Sequence, residues 1–450
     1  MKSIIISILA LSCAISLMAQ TETADSIPPQ ELQEIVIQAP KVIRKADMDI
    51  YHPSKSAVEH SQNGLQLLNN LMIPTLTVSD VLGTIQAAGQ SVQVRINGRE
   101  SSIEQVRTLL PETIKRVEWI DNPGLRYGGA NYVLNFIVSN PTIGGSLMAQ
   151  ARPALNQAWG FYMADAKFNT GRSQWEVGGN FKLTNKIKTH RDYTETFTYS
   201  DGTTLTRDET SRGGTMDNSF ANAWASYSYI KPDTTVFMAE FGLFHKLTDK
   251  FLYNGLLSLS DGSDDILLTD SHGDKGGTPS LSLYWQQNLA HKQMFIVNFN
   301  SSFYFGRSYS DYIEQLPGAA SYLTDIHTNI KDRNQAYAIE ADYIKNWRNG
   351  RFTAGASYTA NRNRSQYESL GGDIFHQRQD KIYIFAEYFQ RFGKWTATAG
   401  MGVQYTDFLF KETNQGTHTW NPRPQATITY SLNQNHNFRL NFTSWQSTPS

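Results

Sequence analysis

Cysteine is almost missing from this chain: there is one, Cys13, inside an apolar segment at the N-terminus. Beyond that segment the sequence therefore offers no disulfide and no thiolate metal site. An excess of one charge is missing too, with 40 Lys+Arg against 41 Asp+Glu. That balance lacks the basic footprint of a nucleic-acid binder. After the N-terminus no apolar run approaches the ~18 residues that a membrane-crossing helix needs. No phosphate-cradling glycine loop follows a strand, and no His-x-x-x-His or His-Glu-x-x-His pair occurs. The ten histidines are scattered, among them His190, His245, His272, His327 and His376. Asp261, Asp264 and Asp265 offer either a Ca²⁺ loop or, more commonly for such a run, a solvated loop, because Ca²⁺ needs about six to eight converging oxygens. The expectation is a protein with no cofactor and no metal, and not an enzyme.

What is present begins with an export signal. Met1-Lys2 supplies a positive charge, Ser3 to Leu17 is largely apolar, and Leu17-Met18-Ala19 places a small residue before Gln20. This predicts a signal peptide over 1–19, cut after Ala19. A lipoprotein anchor at Cys13 is the alternative, but Ala10-Leu11-Ser12 fits that consensus poorly. Residues 20–31 are polar and proline-containing and read as a flexible arm.

Aromatics reach 12% while charged residues make up only 18%. The aromatics fall into period-2 alternation again and again. Trp395, Ala397, Ala399, Met401, Val403 and Tyr405 share one face, against Thr396, Thr398, Gly400, Gly402, Gln404 and Thr406 on the other. Phe352 to Ala360, Trp175 to Leu183, Ala426 to Leu432 and Leu281 to Leu289 repeat the pattern. Strands of about ten residues, apolar on one face and small or polar on the other, are the signature of a transmembrane barrel. Tight turns are predicted near 169–172, 231–233, 290–292, 348–350, 391–393 and 433–435. The polar stretches 188–217, 260–278, 306–330 and 361–380 are predicted to be long loops. Short turns at one end and long loops at the other favour an outer-membrane barrel over a soluble β-sandwich. From Glu240 to Ser260 the periods mix, and no strand ends can be drawn.

Residues 92–138 carry a different pattern. Val92 to Ile96 reads as a strand entering an Asn97-Gly98 turn. Ser101 with Glu104 forms a capping box, and Ile103, Val106, Leu109 and Leu110 give a helical apolar face ending at Pro111. Lys115 to Ile120 is a second strand, Asp121-Asn122-Pro123-Gly124 a turn, and Tyr127-Gly128-Gly129-Ala130 leads into a third strand, Tyr132 to Val138. The sum is a small α+β module.

This run resembles the plug of TonB-dependent receptors. The resemblance rests on Ile96-Asn97-Gly98, on Ile114 to Ile120 with Arg116-Val117-Glu118, on Asn122-Pro123, on Tyr127-Gly128-Gly129-Ala130, and on Val133 to Ile137 with Asn135. Asn97 stands where the family has Asp, and Asn122 where it has Gly; Asn tolerates both turns. Upstream, Leu32, Gln33, Glu34, Ile35, Val36 and Ile37 look like a TonB box, an extended segment able to add a strand to a periplasmic partner. An ordinary first strand of the plug is the other reading of these residues.

The resemblance implies a mainly β protein: a transmembrane antiparallel β-barrel preceded by a small α+β N-terminal plug. The expected divisions are a TonB box over 32–39, a plug over 40–140 and the barrel over 144–450. Six tight turns give about thirteen strands, against about 22 in plug-filled transporters, so the barrel is expected to be incomplete. The implied function is energised uptake of an extracellular ligand across the outer membrane, with outer-membrane lipid and a TonB-type energy-transducing protein as partners. A non-transporting receptor, adhesin or assembly component is the alternative. The ligand is not readable, because this architecture serves many substrates.

Overall fold

The computed structural model describes residues 42–45, 48–80, 83–121, 123–127, 130–139, 142–231, 234–432 and 436–444. The export segment, the arm and Leu32–Ala39 lie outside the described residues, as do Asn122, Gly128, Gly129 and the turn at 433–435.

The N-terminal module starts with a hairpin, β1 (Val42–Arg44) and β2 (Asp49–Tyr51). Two short helices follow: α1 (Lys55–Glu59), capped by the Ser54 side chain, and α2 (Gly64–Asn70), capped by Asn63. Strands β3 (Leu76–Ser79), β4 (Thr84–Ala87) and β5 (Gln90–Ser91) make a small meander. Next come β6 (Gln93–Ile96), β7 (Arg99–Glu100), α3 (Ile103–Arg107), β8 (Ile114–Ile120) and β9 (Val133–Val138). They join the first hairpin in a sheet of order β1-β2-β8-β9-β6-β7, in which β6 and β9 run parallel. Asn97 and Gly98 both adopt positive φ, 50° and 88°. This is the two-residue turn that matches strand twist.

Leu65, Leu68, Val106, Val117, Leu134 and Phe136 form the centre of the module's core, none above 1% exposed. A Cβ on Gly64 would sit 2.3 Å from the Val106 carbonyl oxygen, so α2 approaches α3 only because that position is bare. The capping box lies one residue later than the sequence predicts, on Ser102 and Gln105 rather than Ser101 and Glu104. Ser101 is still held by the preceding hairpin: its N–H donates to the Val94 carbonyl at 2.9 Å and its hydroxyl to the Arg99 carbonyl at 3.1 Å.

The second part is one antiparallel sheet. Its strands are β10 (Ile143–Pro153), β11 (Trp159–Thr170), β12 (Ser173–Thr184), the short β13 (Ile187–Thr189) and β14 (Tyr193–Thr198), and β15 (Thr204–Lys231). Then follow β16 (Thr235–Leu259), β17 (Ile266–Leu289), β18 (Gln293–Gln315), β19 (Thr324–Trp347) and β20 (Gly350–Tyr367). The last are β21 (Asp373–Phe392), β22 (Trp395–Phe410), β23 (Gln415–Ser431) and β24 (Asn437–Thr443). Thirteen of these fifteen lie on a path of sequential neighbours, and β13 and β14 both flank β15. The count agrees with the sequence reading. Among the described residues β10 and β24 do not pair with each other, so the sheet is not closed.

Strand length differs from the expectation. The polar stretches read as loops are mostly strand: β15 runs for 28 residues and β16 for 25. At about 3.3 Å per residue and a tilt near 40°, β15 rises roughly 70 Å, against an apolar band of about 25 Å. Most of its length therefore stands outside lipid, where nothing enforces alternation and cross-strand polar pairs hold the ladder instead.

The mixed period between Glu240 and Ser260 also has a cause. The β16–β17 register breaks between Lys246 and Lys250. Before the break the odd positions face outward, as at Phe241 and Leu243; after it Tyr253 and Leu257 face inward and are buried. An irregularity of this kind changes which face a side chain takes.

The sheet is inverted relative to a soluble protein. On β22 Trp395, Met401 and Val403 are 45%, 51% and 39% exposed, while Thr396 and Thr406 are buried. On β21 Ile382, Ile384 and Tyr388 are exposed, while Tyr383, Phe385 and Glu387 are buried. Aromatic pairs mark both rims of the apolar band, Trp395–Tyr430 near the short turns and Tyr405–Trp420 farther up. Ten residues separate Trp395 from Tyr405, about 33 Å along a strand and about 25 Å in height at that tilt. The wall is therefore an outer-membrane β-barrel wall with the apolar residues on its lipid side.

Candidate ligand site and plug–wall interface

The plug motif residues come together as a clamp on the Asn97-Gly98 turn. Gly98 N–H donates to Asn135 Oδ1 at 2.9 Å, Asn135 Nδ2 donates to Glu118 Oε2 at 2.8 Å, and Arg116 Nε donates to Glu118 Oε1 at 2.9 Å. Val138 N–H donates to Asn97 Oδ1 at 2.9 Å. Val117 is buried in the core and Ile96 packs against it. These residues fix β6, β8 and β9 to one another, which is an architectural task.

Tyr127 and Pro123 lie elsewhere, facing the wall. The Arg95 and Arg126 guanidiniums sit 5.0 Å and 5.4 Å from the Tyr127 ring centroid, and the Pro123 carbonyl accepts from Gln425 at 3.4 Å. Polar contacts tie this turn and the rest of the module to the wall. Arg126 Nε donates to Asp342 Oδ2 at 3.0 Å, and Asp342 is only 2% exposed. Leu125 N–H donates to Glu387 Oε2 at 3.1 Å. A Cβ on Gly124 would lie 2.5 Å from Glu387 Oε2, so glycine lets that carboxylate approach. Arg99 donates to Glu240 at 2.9 Å, and Gln105 donates to the same carboxylate. Lys167 donates to Thr108 Oγ1 at 2.9 Å, and Arg439 pairs with Asp121 at 2.8 Å. Burial opposes the Arg126 charge, but the neighbouring Tyr127 and Asp342 leave its pKa raised.

Two cavities flank the Leu125–Tyr127 turn. One, of about 610 Å³, is bounded by Gln93 and Arg95 of the plug and by Asn298, Glu340, Ser357 and Tyr383 of the wall. The other, of about 210 Å³, lies toward the short turns, beside Arg351, Thr396, Thr427 and Arg439. Arg126 and Tyr127 line both, so this turn borders each of them.

Sequence reasoning missed Arg95, Arg126, Glu240, Asp342, Glu387 and Tyr383. A signal was available: Glu240, Asp342 and Glu387 are carboxylates on the inward phase of strands whose outward phase is apolar. Asp261, of the acidic run, accepts from Ser263 N–H at 2.9 Å within its own turn. Among the described residues no group of three or more His, Cys, Asp or Glu side chains is placed to hold a metal.

Residues 287–448 match the outer membrane protein beta-barrel family. Among solved structures, the FpvAI–pyocin S2 complex is similar with a TM-score of 0.51 at 10% identity, covering 90% of this chain and 55% of that one. The copper transporter OprC gives a TM-score of 0.48 at 12% identity, covering 88% and 62%. The ferric yersiniabactin uptake receptor FyuA from Yersinia pestis gives 0.35 at 9% identity, covering 90% and 79%. The chain thus spans less than two thirds of the length of the first two. No curated protein matches it. It shares the fold seen in the FpvAI complex, a plug-containing outer-membrane β-barrel architecture.

Proposed function

We propose that the chain serves energised uptake of a small extracellular ligand, without covalent chemistry. The observation that carries this reading is the Leu125–Tyr127 turn, which borders two cavities and is held to the wall by polar contacts. Water can replace such contacts at a net cost of about 1.5–3 kcal/mol each, since both engage a charged carboxylate. A shift of the turn would join the two cavities into one path. In this reading a periplasmic TonB-type protein adds a strand to Leu32–Ala39 and pulls, and the motif residues Ile96, Asn97, Gly98, Arg116, Val117, Glu118 and Asn135 keep the plug intact under load.

The test is a single cysteine at Ile35, in a chain whose Cys13 has been replaced by serine, with a partner cysteine in the transducer. A disulfide cross-link in membranes is the expected result. Its absence under every condition would remove the energised reading and leave a non-transporting surface receptor, adhesin or assembly component.

A further inference from the structure

We propose that the outer face of the wall seats a phosphorylated lipid headgroup of the outer leaflet, held between Arg333 on β19 and Arg364 on β20. The site lies on the lipid side of the wall, away from the plug, and does not depend on uptake.

Three like-charged pairs stand on that face. Arg333 is directly opposite Arg364, Arg307 is directly opposite Lys331, and Arg362 is directly opposite Arg378. Lys275 on β17 extends the second pair to a row of three. The phase is the lipid-facing one. On β19 it continues from Ile339, on β20 from Tyr358 and on β21 from Ile382, all exposed, and no register shift intervenes. Like charges directly opposite each other destabilise a sheet. Such pairs call for an anion between them.

The Arg362–Arg378 pair has its anion in place. Arg362 Nη2 donates to Asp380 Oδ1 at 2.6 Å and Arg378 Nε to Asp380 Oδ2 at 2.5 Å, so one carboxylate bridges the two guanidiniums. Glu368 pairs with Lys331, and its charge reaches Arg307. The Arg333–Arg364 pair has no such bridge: among the described residues neither guanidinium makes an ion pair or a hydrogen bond. Around it, Glu412 is taken up by His376 at 2.7 Å, and Asp407 stands opposite Asp380 on β22, two strands from Arg364.

Height selects the kind of anion. Phe299, Ile339, Tyr358, Ile382, Tyr405 and Trp420 form one cross-strand row, which ends on the outer aromatic rim. In a sheet tilted by about 40°, a level line shifts along the strands by about six residues over the five steps of such a row. The exposed apolar side chains shift the same way and reach Phe305 on β18, directly opposite Arg333. On that line the apolar band ends at Arg362 on β20 and close to Arg333 on β19, and Arg364 stands about 5 Å higher. The headgroup layer fills roughly the 5–7 Å beyond the hydrocarbon. A phosphate at that level meets both guanidiniums, whose planar forks suit its oxygens, while Phe305 meets the lipid chain. A second copy of the chain on this face would bring like charges together, which opposes that contact.

The experiment titrates the full chain in neutral detergent with monophosphorylated lipid A, with its dephosphorylated form and with inorganic phosphate. The expected result is saturable binding of the phosphorylated lipid, weakened about fivefold by Arg333→Gln and by Arg364→Gln, the factor that one surface cation contributes toward an anionic headgroup. Arg172→Gln, in a short turn at the opposite rim, should leave binding unchanged. Thermal midpoints give a second reading. Without lipid, Arg364→Gln should melt no lower than the parent, because it removes a like-charge contact, and lipid should raise its midpoint less than the parent's. A lower midpoint without lipid would make the pair structural and overturn the proposal. So would equal binding of the dephosphorylated lipid, parent-like binding by both variants, or an equal loss in Arg172→Gln. Inorganic phosphate binding as tightly as the lipid would make this a site for a soluble anion, and dissociation of a dimer by the two variants would make it a contact between copies; either result overturns the headgroup assignment.

Discussion

Arg126 and Asp342 show what a residue can do when lipid lies on one side and the plug on the other. Neither belongs in a strand wall for its own stability; an ion pair so buried gains little over an apolar pair. Its use is specificity of docking, because stripping one partner leaves a buried charge at a cost of about 3–5 kcal/mol. Asp342→Ala should therefore lower the urea midpoint at which plug amides lose exchange protection, while the wall's own midpoint stays put. Asp342→Asn, which keeps the acceptor and the volume, should lower it less. Equal effects of both variants on both midpoints would mean that the pair serves the wall instead. A second residue lends itself to pH. His327 lies near the tip of the β18–β19 hairpin, beyond the apolar band, 2.7 Å from Asp311 and 2.7 Å from Asp325. The hydrogen bond that the ring donates to Asp311 and the charge of Asp325 raise its pKa above the usual histidine value. A raised folded pKa means that the contact favours the folded hairpin below the unfolded value of about 6.5 and loses that effect as pH rises through the folded one. Titration of the His327 ring protons by NMR should place the midpoint above 6.5, and Asp311→Asn should bring it down. The place of Asp342 on an inward strand phase was legible from sequence, but its role was not. A carboxylate on the inward face of a strand looks like any polar residue until the plug that faces it is in place.

At the scale of elements, legibility followed the physics that enforces it. Alternation could be read where lipid imposes it, in Trp395 to Tyr405 or Phe352 to Ala360, and the short turns could be read from their Gly and Asn residues. Above the lipid band that constraint ends, and the same strands continue through sequence that reads as loop. What holds them there is cross-strand chemistry. Arg191 Nε donates to Glu209 at 2.7 Å and Nη1 to Asp270 at 3.2 Å, and its guanidinium lies 4.2 Å from the Tyr253 ring centroid. Tyr253, Leu257 and Leu268 form a small core beside them. These extensions are thus built as a rampart. Hydrogen exchange should show amides around Arg207–Glu209 and Tyr253–Leu257 protected to a degree near that of the membrane-level ladder. Arg191→Ala, which removes the link between β15 and β17, should release that protection locally. Fast exchange throughout 204–215 in the parent chain would show the hairpin to be mobile and the rampart reading wrong.

For the whole molecule the decisive property is the inversion of its surface, with apolar side chains outside and threonines and carboxylates inside. The sequence announced this through period-2 alternation of apolar with small or polar residues, and the structure places Trp395 at one rim and Trp420 at the other. A soluble sandwich would alternate equally well along each strand but would bury these indoles. Here they are 45% and 67% exposed, at positions where a bilayer supplies the missing contact. Two variants test it, one keeping only Trp395 and one only Trp420, with the other tryptophans replaced by phenylalanine. In vesicles containing brominated lipid, both should be quenched more by bromines placed near the headgroups than by bromines near the bilayer centre, since aromatic girdles sit at the interfaces. A collisional quencher kept outside the vesicles should reach only one of the two, because the rims are about 25 Å apart and face opposite leaflets. Deep quenching of either indole would move the band along the strands, and quenching of neither would take the sheet out of the membrane.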